Sequence, residues 1–402
     1  MSSIIHNLTE KLELKRSEIQ KWMSEKREHV PIPIYGSVDI RDSGWKVAVV
    51  DSNHFPAGFN NVSKADEVNL SSLLKSHILR LNENCEWVHL YPESHTRNKG
   101  YVENLKTIKR LIEGAGFRCT IGSPELDGYG SLDGLTGPLL LDKVILVDDK
   151  LSINNKKPDF IMLNNDLTEG ILPGLADNQV FPPTHMGWQR RRKSEHYECL
   201  KNYVAEIAEI LEIEPWHLMT DWFVSEDKCL EKESCREMLA AEVDEFLAIL
   251  KSRYEKLGIE REPVAFIKND RGTYGLGIMA VTSGKELLNL SNRKFKRLMY
   301  SKGGVDVENF LIQEGIPTCL KTVDNYPVEP VVYLVDGEAA SWFYRINPKK
   351  SDLENLNSPS AEFVNFEQVQ DKFGKHAHNW HALVAELSML AMGAESMIQK
   401  EG

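Results

Sequence analysis

The chain has 402 residues, 42% of them hydrophobic and 27% charged, an ordinary globular composition with length for two or three domains. A formal net charge of -12 argues against general nucleic-acid binding, and no apolar run approaches the ~20 residues of a membrane span. Six scattered cysteines with no CxxC pair, and an N-terminus without a signal-type apolar core, lead us to expect a cytoplasmic protein with reduced thiols and no membrane partner.

In chain order, residues 5–29 carry apolar residues at helical spacing and are stopped by Pro31-Ile32-Pro33. Strands are expected at Trp45–Asp51, Trp87–Tyr91, Arg118–Gly122, Lys143–Val147 and Phe160–Asn165, with a helix from Tyr101 to Ala115. Strands alternating with helices imply a parallel α/β layer. Helical periodicity then runs from about 194 to 258, strands dominate from Pro263, and a last helix covers roughly Trp380 to Ile398. The expected division is 1–193, 194–262 and 263–402, and the fold class is α/β and α+β.

Ala265-Phe266-Ile267-Lys268 is an apolar strand ending in a lysine, followed by a polar turn with Gly272, Thr273, Tyr274, Gly275 and Gly277. Glycines let backbone N–H groups approach phosphate oxygens, and Lys268 adds a point charge. No Gly-Lys-Ser/Thr follows, so this is not a Walker loop, and the apolar Ile-Met-Ala-Val after Gly277 reads as a strand. A glycine-rich hairpin without a ligand is the plain alternative. Downstream, Asn309–Ile316 is a strand ending in Gln313-Glu314, then Gly315 and Ile316; its backbone can meet an adenine edge while the acid takes a ribose hydroxyl, or it is a strand and turn. Val331–Asn347 reads as a hairpin around Asp336-Gly337, with Arg345 at the far end where it can stabilise a phosphoryl group in flight, unless it is simply solvated. The turn from Asp352 to Ser360 is dense in oxygen ligands.

These clusters, in this order, resemble the ATP-grasp superfamily, and within it the bacterial glutathione-synthetase group. Met219–Lys228 is similar to that group's segment carrying a first ATP lysine, which implies Lys228 beside Lys268. Over nearly its whole length the chain resembles the proteobacterial glutamate–cysteine ligases related to glutathione synthetases. The resemblance implies an ATP-grasp region preceded by an N-terminal α/β substrate domain, ATP and Mg²⁺ as cofactors, and glutamate and cysteine as substrates. Glutathione synthetases carry a late Asp and a Glu-x-Asn as magnesium ligands; residues 382–400 have neither, so the metal is expected at Asp336, Glu354, Asn355 or Asn357. Candidate substrate residues are Arg41 before the first strand, Arg97 after the second, Arg190 and Arg191 in the basic run Trp188–Lys193, and Asn164 and Asn165 at a strand end. His376, His378 and His381 form no zinc pattern. Two other readings stay open: glutathione synthetase or another carboxylate–amine ligase, and a non-catalytic nucleotide-binding protein. Oligomeric state is not legible.

Overall fold

The computed structural model describes residues 4–94, 97–175, 179–226, 230–271, 277–299, 309–358, 360–364, 369–370 and 376–401. The expected α/β and α+β class is the one observed, with three principal sheets.

The first sheet is parallel. Strands Val180–Phe181, Phe160–Asn164, Trp87–Pro92 and Arg118–Ile121 lie side by side in that order. Helices Glu67–Leu81 and Lys99–Gly114 cover it, burying Leu70, Leu74 and Ile78 from one and Val102, Leu105 and Ile108 from the other against Val88, Leu90 and Met162. Each such side chain contributes roughly 1.5–3 kcal/mol. Asn98 caps the second helix by accepting from the Tyr101 N–H at 3.1 Å.

The second sheet is antiparallel, in the order Glu362–Val364, Glu338–Ile346, Val328–Val335, Tyr35–Asp42, Val47–Asn53. Strands from residues 35–53 and 328–364 therefore share one sheet across any linear division at 193 or 262. One face, with Val38, Ile40, Val49, Val332 and Leu334, packs on the last helix, His376–Glu401, through Trp380, Leu383, Val384 and Leu387. The opposite face presents Ser37, Asp39 and Arg41, as a period of two requires. The hairpin turn is Asp336-Gly337, at φ 54° and 82°, the positive pair that a two-residue turn needs.

The third sheet runs Trp222–Ser225, Phe310–Glu314, Ala265–Asn269, Ile278–Val281, all antiparallel, and rests on helix Glu233–Lys256. The expected strand–loop–strand around the glycines is thus present at both ends.

Two expected strands go elsewhere. The run at 45–51 is not in the parallel layer: it forms Val47–Asn53 beside Tyr35–Asp42. That partner alternates apolar Val38 and Ile40 with polar Ser37, Asp39 and Arg41, the strand period of two. Val144–Val147 pairs instead with Lys150–Ile153, turned by Asp148 and Asp149 at φ 48° and 56°. The long helical region is two helices, Lys193–Leu211 and Glu233–Lys256; the first ends where Glu212 turns left-handed at φ 54°. The described cysteines Cys85, Cys119, Cys199 and Cys235 are free. Among the described residues, no helix is long and apolar enough to cross a membrane.

Candidate active site

The second and third sheets face one another across a cavity walled by Phe266, Lys268, Ile278, Gln313 and Ile316 on one side and Asp39, Arg41, Asp51 and Glu329 on the other. It shares Asp39, Asp51 and Asn357 with a second cavity of about 330 Å³. That size falls within the roughly 300–1,000 Å³ usual for small-molecule sites. Asn53, Gly58, Asn98, Tyr101, Trp188, Tyr333 and Arg345 line the second cavity.

A bulge shapes the shared wall. Ile40 pairs with Val49 but Asp39 pairs with Asp51, so Val50 is an extra residue. The bulge turns Asp51 and Asn53 onto the face of Asp39 and Ser37, their cross-strand partners. It also leaves the Val50 carbonyl outside the regular ladder, where it accepts from Lys268 Nζ at 2.9 Å. Facing carboxylates repel. Here Lys193 Nζ sits 2.5 Å from Asp51, Arg345 Nη1 donates to Asp39 at 2.8 Å and also to Glu329, and Arg41 Nε donates to Glu329 at 2.6 Å.

The titrations follow from burial and these neighbours. Burial raises the Asp39 carboxyl, with Arg345 pulling the other way. Burial also works upward on Asp51, but Lys193 and Lys268 bring it below the usual range. Glu329 is likewise held low, where Arg41 and Arg345 outweigh burial. Burial pushes Lys268 down to about 8, opposed mainly by Asp51.

Arg41 has a further task. Its Nη1 and Nη2 donate to the carbonyls of Asp352 and Glu354, both at 2.8 Å, which draws the acidic turn to the cavity and sets Asn355 and Asn357 in its wall. The base of the glycine loop is tied to helix Lys193–Leu211, because Asp270 accepts from Ser194 N at 2.8 Å and Ser194 Oγ at 2.7 Å. Gly277 closes the loop at φ 66°.

Lys268, Gln313, Ile316, Arg41, Asn355, Asn357 and Arg345 thus meet at the two joined cavities. Glu314 borders the first, but its carboxylate is taken by Lys46, by Tyr254 Oη at 3.0 Å and by the Asp221 N–H at 3.1 Å, so the expected ribose contact is already filled. Asp336 is elsewhere, bound to His77 Nδ1 at 2.8 Å and to Arg80, because the turn lies at the opposite end of the hairpin from Arg345. The Glu354 side chain points to Lys350 Nζ at 2.9 Å and the Ser351 N–H at 2.8 Å. Asn164 is spent on Asn104, Tyr35 and the Pro56 carbonyl, and Asn165 on the Pro92 carbonyl and the Leu167 N–H. Arg97 and Arg190 are exposed and line neither cavity. Arg191 is buried behind the sheet with Glu395 and Ser52. Lys228, Gly272, Thr273, Tyr274 and Gly275 lie outside the described residues.

Sequence reasoning missed Asp39, Asp51, Asn53, Glu329, Lys193 and Trp188. One signal was available: Asp51-Ser52-Asn53 has the acid-x-Asn spacing sought near the C-terminus, and it stands on a strand near the N-terminus. Among the described residues, no group of three His, Cys, Asp or Glu is arranged as a ready-made metal cage.

Over residues 10–396 the chain matches the GshA family, described as glutamate-cysteine ligase. Among solved structures, a protein titled "Putative gamma-glutamylcysteine synthetase" from Methylobacillus flagellatus KT is 30% identical, with a TM-score of 0.89 over 100% of this chain and 97% of that one. A D-alanyl-alanine synthetase A from Vibrio cholerae O1 biovar eltor str. N16961 shows 13% identity and a TM-score of 0.35 over 76% of this chain and 81% of its own. A glutathione synthetase like-effector from Globodera pallida shows 8% and 0.38 over 90% and 79%. At those scores the last two carry no weight for the chemistry. No curated protein matches.

Proposed function

The chain belongs to the glutamate–cysteine ligase family, and from that premise we propose that it joins the glutamate γ-carboxylate to the cysteine amine at the expense of ATP, through an acyl phosphate. The carrying observation is that Lys268, Arg345 and the carboxylates Asp39, Asp51 and Glu329 converge where a cleft of about 60 Å³ between the second and third sheets opens into the second, larger cavity. In this reading adenine lies between Phe266, Ile278 and Ile316, and the phosphates extend past Lys268 toward Arg345.

The donor set suits magnesium. Asp39 and Asp51 oppose one another, Asn53 adds an amide oxygen on the same face, and Glu329 stands beside Arg345 in register. Mg²⁺ is commonly held by one or two carboxylates plus substrate phosphates, so a ready-made cage is not required. When bound, it would neutralise phosphate oxygens as charge moves to the leaving ADP. Lys193 and Lys268, which now balance Asp51, would then be available to the phosphates.

The second cavity takes the amino acids. The γ-carboxylate oxygen of glutamate attacks the γ-phosphorus, and the bond to the ADP oxygen breaks. The cysteine nitrogen then attacks the acyl carbon, phosphate departs and the amine loses a proton. The protein contributes mainly position and charge: Arg345 and Lys268 face the transferring group, and the walls formed by Trp188, Tyr333 and Phe343 exclude water from the acyl phosphate. Gly272, Thr273, Tyr274, Gly275, Gly277 and Lys228 are assigned to the phosphates on family resemblance.

The test is ADP release with magnesium. Glutamate plus cysteine should drive it, and γ-glutamylcysteine plus glycine should not. Robust turnover with the second pair would make the protein a glutathione synthetase and refute the proposal.

A further inference from the structure

Arg191 touches neither cavity, yet it holds the strand that carries two of the residues read above as metal ligands. Beyond the bulge at Val50, Ser52 points away from Asp51 and Asn53, toward the helices. There Arg191, only 1% exposed, donates Nη1 to the Ser52 carbonyl at 2.6 Å and Nη2 to Ser52 Oγ at 2.9 Å. The rest of the guanidinium is fixed by Glu395 of the last helix, with Nε at 2.6 Å from Oε1 and Nη2 at 3.3 Å from Oε2. Glu395 is fully buried; His196 Nδ1 meets it at 3.1 Å, and His54 Nε2 stands 3.6 Å away. The guanidinium also lies 4.7 Å from the ring of Trp188, a wall of the amino-acid cavity.

The bulge leaves Val50 outside the ladder, and the strand lies at the edge of its sheet, paired on one side alone, so its local twist also depends on what grips it elsewhere. A planar fork that engages both a carbonyl and a hydroxyl of one residue fixes that residue's rotation as well as its position. Asp51 and Asn53 are joined directly to Ser52, so a rotation there swings both across the cavity. Metal ligands tolerate about 0.5 Å of misplacement.

We infer that Arg191, locked by Glu395, is a positioning residue that sets how Asp51 and Asn53 present their oxygens to the cation, so that the last helix is part of the metal site. This rests on the reading of Asp51 and Asn53 as ligands.

The experiment measures Mn²⁺ binding by electron paramagnetic resonance in the presence of a non-hydrolysable ATP analogue, beside the KM values for magnesium and glutamate. Arg191→Met together with Glu395→Gln removes both members of the pair and leaves no buried charge alone. This double variant should keep the wild-type fold by circular dichroism, weaken Mn²⁺ at least tenfold, raise the KM for magnesium in parallel, and move the KM for glutamate less than threefold. Arg191→Lys, which keeps the charge but loses the fork, should fall between. Wild-type Mn²⁺ affinity in the folded double variant, alongside a tenfold loss in Asp51→Asn, would overturn the inference while sparing the ligand assignment. Unchanged affinity in Asp51→Asn would remove the ligand assignment and this inference with it. Should the double variant fail to fold, Ser52→Ala removes only the hydroxyl; a two- to fivefold weakening is expected, and no change would refute the role.

Discussion

Replacing Lys268 with methionine tests the phosphate assignment through its proton. The ammonium is buried, donates to the Val50 carbonyl at 2.9 Å, and has been pushed from 10.5 down to about 8. That drop represents roughly 3 kcal/mol of net disfavour for the buried charge. A polyphosphate arriving beside Nζ restores a preference for the charged form. From the lysine alone, ATP affinity should level off below about pH 8 and fall by up to tenfold per pH unit above it, because only the protonated lysine binds well. Titration calorimetry at pH 8.5 in two buffers of different ionisation enthalpy should show up to one proton taken up per ATP bound. Lys268→Met should take up none, lose the pH slope, and weaken ATP by about 1.5–3 kcal/mol, the worth of a charge-assisted hydrogen bond. That is roughly tenfold to 150-fold in affinity. A flat pH profile in the wild type, or unchanged proton uptake in the mutant, would show that Lys268 does not meet the phosphates.

Three further outcomes are expected. Burial raises the Asp39 carboxyl to about 6, so the magnesium concentration for half-activation should rise as pH falls through 6; Asp39→Asn should abolish that dependence and raise the requirement at least tenfold, as a magnesium titration at several pH values would show. A Cβ on Gly58 would lie 2.6 Å from Tyr333 Oη, so Gly58→Ala should displace that wall at a cost of about 1–3 kcal/mol and raise the KM for the amino acids but not for ATP in steady-state assays. Lys46→Met would strand the buried Glu314 carboxylate and should destabilise the fold by about 3–5 kcal/mol in denaturant unfolding, with Lys46→Met/Glu314→Leu recovering most of it.

The third sheet was legible because its signals are local. A lysine at a strand end and a polar, glycine-containing turn between two apolar runs mark the backbone within a few residues, and the strands Ala265–Asn269, Ile278–Val281 and Phe310–Glu314 form there. The carboxylate face was not, for a non-local reason. Asp39 and Asp51 face one another in the local pairing of Tyr35–Asp42 with Val47–Asn53, but Glu329 and Arg345 join them only when Tyr35–Asp42 pairs with Val328–Val335, and nothing within either segment announces the other. The alternation of Val38 and Ile40 with Ser37, Asp39 and Arg41 was itself a strand signal, and sequence reasoning missed it. Charge density misled in the basic run: Arg190 is exposed and Arg191 is sunk behind the sheet, while Trp188 and Lys193, less conspicuous, reach the cavity and its acid. Side-chain direction there depends on where the run crosses the sheet, which composition does not encode.

The pairing of Tyr35 with Val335 also bears on how the protein comes into being, for it joins residues 300 positions apart. At about 5–20 residues per second, a ribosome needs roughly 15–60 s to deliver the partner of a strand already made. Through that interval the segment at 35–53, with its apolar Val47–Val50, has no hydrogen-bonding neighbour on one side and no helix 376–401 beneath it. Such an edge invites pairing with another nascent chain. The carboxylates on its other face, which repel one another until Arg345 arrives, discourage that pairing: the same charges that would later grip a cation keep the waiting strand soluble.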